Sequence, residues 1–195
     1  MQKLGYVFLA TIIITGMGCA GEAPETTAES SAPSAAAGSA SAEGADVLAL
    51  PGATVDRPEG WVFGQPSSSM RLAEAEIPGP GGPALLTVFF FGAGGGGEVD
   101  ANLQRWAGQV EPDDGSAPVR GGFTVDGFTV STIEVEGTLL PSGMGTGPAE
   151  PVPGSKLLGA VIEGPGGPWF FKITGPEETV SAAAGSFDEM LRSIR

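Results

Sequence analysis

The chain has 195 residues, a net charge of −14, a single cysteine and no histidine. So acidic a chain is excluded by charge from nucleic acid and anionic headgroups, and one cysteine excludes an internal disulfide. The missing histidines remove the commonest general base and the commonest neutral metal ligand.

Lys3 is followed by an apolar run from Leu4 to Ile14 and by small residues before Cys19, the three parts of a secretion signal. The run is shorter than the about 20 apolar residues a helix needs to cross a bilayer. No stop-transfer segment follows, so residues 1–18 are expected to be cleaved. The stretch Gly16-Met17-Gly18-Cys19 resembles the lipobox of bacterial lipoproteins, although Gly16 stands where a leucine is usual. The resemblance implies that Cys19 becomes the new N-terminus and is lipidated with diacylglycerol through its thiol. Acyl chains at about 0.8 kcal/mol per buried methylene would then anchor the protein in the membrane. The competing reading, an ordinary secretory signal, leaves a lone thiol without a purpose. Ala20 replaces the family's inner-membrane retention aspartate, which implies an outer membrane and a domain facing the periplasm.

From Ala20 to about Leu50 the chain is rich in Ala, Ser, Glu, Thr, Pro and Gly, with acids at Glu22, Glu25, Glu29, Glu43 and Asp46 and no basic residue. Such a segment buries too little apolar surface to offset its chain entropy. Residues 19–50 are therefore expected to form the lipidated end and a disordered tether, with a reach of roughly 30 Å.

Residues 51–195 are enough for one globular domain. Trp61, delivered by the turn at Pro58-Glu59-Gly60, is expected to anchor its core. The five residues Gly79-Pro80-Gly81-Gly82-Pro83 recur as Gly164-Pro165-Gly166-Gly167-Pro168. Each copy lies between strand-like runs, Met70 to Ile77 with Leu85 to Phe91, and Leu157 to Glu163 with Trp169 to Thr174. Helices are expected to follow, over Glu98 to Val110 with Val99, Leu103, Trp106, Ala107 and Val110 on one stripe, and from Pro176 to the C-terminus with Val180, Ala184, Phe187, Leu191 and Ile194. Between these units Asp126-Gly127 predicts a tight hairpin, and a change of apolar phase between Val130 and Ile133 predicts a bulge. Leu139 to Ser155 reads as a long Gly/Pro loop. The expected fold is α+β, an antiparallel β-sheet with two packed helices built as a strand-turn-strand-helix pseudo-repeat.

The turn and tryptophan at Pro58 to Trp61, the stretch Ser67-Ser68-Ser69-Met70-Arg71, the helix bearing Asn102 and Trp106, and the ending from Pro168 to Arg195 resemble a group of uncharacterised bacterial lipoproteins. In layout the domain is more distantly similar to the PsbP-like superfamily, which includes DcrB-type envelope lipoproteins. The likeness implies the layout alone; it brings no photosynthetic role, activity or metal site.

Gly92 to Gly97 satisfies a dinucleotide-binding glycine pattern, but a glycine run satisfies any glycine pattern, and Glu98 would set a carboxylate beside the phosphates. A strand-to-helix turn is the expected reading, and no cofactor is assigned. Glu111, Asp113 and Asp114 lack the spacing of a calcium loop and read as a solvated turn, so no metal is assigned. Ser67, Ser68 and Ser69 have no histidine to activate them and read as a hydroxyl-rich turn. Two functions are carried forward. The first is a lipid-anchored, non-catalytic binding or accessory module of the cell envelope whose partner is another envelope protein. The alternative is an envelope hydrolase or small-ligand-binding protein using the Ser67 to Arg71 loop. Its candidate binding residues are Ser68, Ser69, Met70, Arg71, Arg105 and Lys172, and it requires a concave site where they converge.

Overall fold

A computed structural model of the chain describes residues 46–141 and 148–195. The signal, Cys19 and almost all of the expected tether lie outside the described residues, as does the middle of the loop expected over 139–155. The first element is a hairpin, β1 (Val47–Leu50) against β2 (Ala53–Asp56), with Gly52 at φ +84° in its turn. It begins at Val47, a few residues before the expected start of the domain at Pro51. Leu48 and Leu50 alternate on one side of β1 and are buried in the core, a period-two signal too short to stand out from an Ala/Ser-rich background.

The main sheet has eight antiparallel strands. They are β3 (Val62–Gly64), β4 (Ala73–Ile77), β5 (Ala84–Phe90), β6 (Val110–Glu111), β7 (Val119–Val125), β8 (Phe128–Leu139), β9 (Val152–Glu163) and β10 (Trp169–Pro176). Their order is β3-β4-β5-β10-β9-β8-β6, with β7 also paired to β8. Helix α1 (Val99–Ala107) follows β5 and helix α2 (Glu177–Arg192) follows β10. This is the expected α+β class.

The two five-residue repeats fold alike. In each, the fourth residue donates its N–H to the carbonyl of the first at 3.1 Å, and Gly82 and Gly167 take φ values of +102° and +117° that glycine alone adopts readily. The helices that follow do not pack alike. Along β9, Leu158, Ala160 and Ile162 face α2, whereas Leu157 and Val161 face α1, so the helices cover opposite faces of the sheet.

That arrangement replaces the expected bulge between Val130 and Ile133. The β8–β9 register is continuous from Thr129 to Gly137, and the irregularity lies between Gly137 and Leu139. The apolar phase changes because Val130 belongs to the α2 core and Ile133 and Val135 to the α1 core. The Asp126-Gly127 turn forms as expected, with positive φ at both residues, the geometry of a type I′ hairpin. Val110, placed on the α1 stripe by periodicity, instead starts β6 after Gly108 ends the helix. Trp61 is only partly buried against the α2 core, whereas Trp169 fills its middle at 1% exposure. The C-terminus closes the domain: Arg195 exchanges backbone hydrogen bonds with Thr54 at 2.8 and 3.1 Å, and its guanidinium pairs with Asp56 at 2.7 Å.

Candidate functional site

Helix α1 has nine residues, about 14 Å of length at 1.5 Å per residue, and packs over β8 and β9. It leaves the β5 side of the same face open. Strand alternation puts Leu85 and Phe89 on that open half, with Thr87 buried between them and Val62 in register beyond Glu76. At the margin between the covered and open halves lies a cavity of about 320 Å³.

Its walls are aromatic. Phe89 and Phe91 stack at 6.2 Å between centroids, Phe170 tilts against Phe91 at 5.8 Å, and Trp106 meets Phe170 edge-on at 6.4 Å. Two glycines make room for these rings. A Cβ on Gly96 would come 2.5 Å from the Phe170 ring, and one on Gly159 would come 2.5 Å from Trp106. Met70 and Phe91 stand at the cavity with 63% and 46% of their surfaces exposed.

The polar groups are few and tied together. Asn102, buried on α1, donates from Nδ2 to the carbonyls of Gly96 and Glu98 at 2.8 and 2.9 Å. Its Oδ1 accepts from Arg105 at 2.6 Å, so one amide holds the glycine turn and aims a guanidinium. Lys172, on β10, donates to Gln109 Oε1 at 3.1 Å and has no ion-pair partner among the described residues. Burial, followed by the charges of Arg105 and Arg71, pulls its pKa down to about 8. It is still mostly protonated at neutral pH.

Lys156, on the opposite face, shows what this fold does with a lysine it uses structurally. Its ammonium lies 2.5 Å from both Glu134 and Glu136 and donates to Ser181 at 3.0 Å. Desolvation is the largest influence on it and acts downward, but hydrogen bonds to the two glutamates outweigh that and raise its pKa. Among the described residues one lysine has two carboxylate partners and the other a single neutral amide.

Of the six candidate residues, the structure brings Met70, Arg105 and Lys172 to one cavity. Arg71 lies close enough to lower the Lys172 pKa, but its Nη1 is committed to Glu74 and Ser67; its buried Nε–H has no partner. Ser68 and Ser69 do not line the cavity. Ser68 instead closes the turn, its carbonyl accepting from the Arg71 N–H at 3.0 Å and its hydroxyl from the Met70 N–H at 3.3 Å. Ser67 donates to Glu74 at 3.0 Å, and the same carboxylate is paired with Arg71. The glycine run forms the expected turn, with Gly92, Gly94, Gly96 and Gly97 at positive φ. The strand before it, β5, is antiparallel to both neighbours, which is not the parallel crossover of a dinucleotide fold. Asp113 accepts from Thr138 at 3.1 Å and Asp114 from the Ser116 N–H at 2.8 Å; the latter bond holds the Asp114 carboxyl below its usual pKa.

Sequence reasoning missed Gln109, the clamping role of Asn102 and the aromatic walls. A usable signal was present in Trp169-Phe170-Phe171-Lys172-Ile173, where one cation interrupts an otherwise apolar strand.

Fold and site together define an α+β domain carrying a cation-bearing aromatic cavity on a half-covered sheet face. No family model matches the chain, and no curated protein matches it. Among solved structures it is similar to the crystal structure of a protein of unknown function from Pseudomonas aeruginosa, suggested to be a regulator. The identity is 12%, the TM-score 0.45, and the match covers 75% of this chain and 93% of that one. Such a likeness defines neither a family nor an activity.

Proposed function

We propose that the chain is a lipid-anchored, non-catalytic binding module of a bacterial cell envelope, and that the cavity beside α1 is its recognition site. The observation that carries this reading is Lys172, a cation held among aromatic rings with a neutral amide for a partner. A desolvated charge left uncompensated by the fold costs stability, and perturbed groups of this kind cluster at functional sites. An anionic group from outside the chain would compensate it. The anchor rests on the secretion signal and on Cys19, which would set the domain off an outer membrane into the periplasm.

The ligand-binding half of the alternative is favoured over its hydrolytic half. Met70, Arg105 and Lys172 converge, whereas the Ser67 hydroxyl is engaged by Glu74 of β4 and the Ser68 hydroxyl by the Met70 N–H. A second reading, an envelope protein as partner, draws support from the exposed Val62, Leu85 and Phe91 on the same open half-face, since exposed apolar surface marks interaction sites. A photoreactive amino acid at Met70 in cells distinguishes the two. A small-mass adduct supports a ligand cavity, a discrete protein adduct supports a docking face, and no adduct beyond the level of the same probe at Asp188 overturns the site. Mass spectrometry of the mature N-terminus tests the anchor, which requires diacylglyceryl-modified Cys19.

A further inference from the structure

The geometry points to the chemical class of ligand, and so rests on the cavity being the recognition site: a small carboxylic acid carried on a flat aromatic body. Three features select that class. The volume of about 320 Å³ is that of roughly ten waters and lies at the lower end of the range for small-molecule sites. This suits a bicyclic acid better than an extended acyl chain. The walls are four rings set at stacked, tilted and edge-on angles to one another, and a flat aromatic guest meets such walls by offset stacking and edge contacts. The charge at the site comes from Lys172 and Arg105, with the Asn102 and Gln109 amides as the neutral polar groups. A carboxylate takes one ammonium and one guanidinium well, whereas a dianionic phosphate surrounded by rings would leave oxygens unpaired.

The ligand's charge would also act on Lys172. An anion beside the ammonium favours the protonated form, so binding draws a proton onto the site and weakens as the pH rises through about 8.

The test is calorimetry on the mature protein in lipid nanodiscs, with empty discs subtracted, using 2-naphthoate, 2-naphthamide, decanoate and inorganic phosphate as probes. The expected result is saturable binding of 2-naphthoate that is at least tenfold tighter than that of the amide. It should weaken about tenfold between pH 7 and pH 9.5. Lys172→Met should sharply reduce the preference for acid over amide, leaving only the part due to Arg105, while Arg192→Gln, at an exposed cation on α2, should leave it intact. Equal binding of acid and amide overturns the anionic class and keeps the cavity as recognition site. Tighter binding of decanoate or phosphate overturns the aromatic acid. If no probe binds, the inference falls, and the Met70 crosslink decides separately whether the recognition site falls with it.

Discussion

Lys172 donates to the side-chain oxygen of Gln109 at 3.1 Å, a neutral partner for a cation whose pKa has been drawn down to about 8. A folded-state pKa below the unfolded one means that folding disfavours the charged form. The penalty is complete below pH 8, shrinks as the pH rises toward 10.5, and is absent above it. Lys172→Met should therefore stabilise the ligand-free protein at pH 7 by about 2 kcal/mol. Thermal melts at pH 7 and pH 10.5 check this, and the gain should shrink at the higher pH.

Lys156 carries the opposite sign. Its pKa is raised by Glu134 and Glu136, so its contribution is whole below the unfolded value and disappears as the pH climbs through the folded one. Lys156→Met should cost about 1–2 kcal/mol at pH 7, less than a fully buried pair, because both glutamates are half exposed and turn back to water. Urea unfolding of the variant at neutral pH measures it. A variant as stable as the parent would mean the network contributes nothing.

Trp106 lies against the backbone of Gly159 so closely that a methyl group there would sit 2.5 Å from its ring. Gly159 lies in mid-strand without a positive φ, so the effect of Gly159→Ala is steric. It should destabilise by about 1–3 kcal/mol and push the indole toward the cavity. Trp106→Leu in the same chain should recover part of the loss, which equilibrium unfolding of the three variants would reveal.

Asn102 donates twice to the glycine turn and accepts once from Arg105. Asn102→Ala takes the side-chain donor from the partly buried Gly96 carbonyl, while the Glu98 carbonyl keeps the backbone N–H of residue 102, and should cost about 1 kcal/mol. Hydrogen exchange over residues 92–98 should quicken. Asn102→Asp keeps the acceptor for Arg105 and loses the donors, so exchange should quicken there too.

What the sequence determined by itself was local. The Asp126-Gly127 hairpin, the two Gly-Pro turns and the order strand, turn, strand, helix are legible because turn chemistry and strand or helix period act over a few neighbouring residues. The class of fold followed from that order. Which face each helix covers was decided only in three dimensions: α1 and α2 follow similar hairpins, yet alternate residues of β9 serve one or the other. The misplaced bulge at Val130 to Ile133 has the same cause, since a strand buried on both faces loses its simple alternation. The cavity is tertiary for a further reason. Met70, Trp106 and Lys172 lie on separate elements, and Lys172 becomes a strained charge only because burial and the nearby Arg105 and Arg71 meet it there, whereas Lys156, the same residue type on β9, finds two carboxylates.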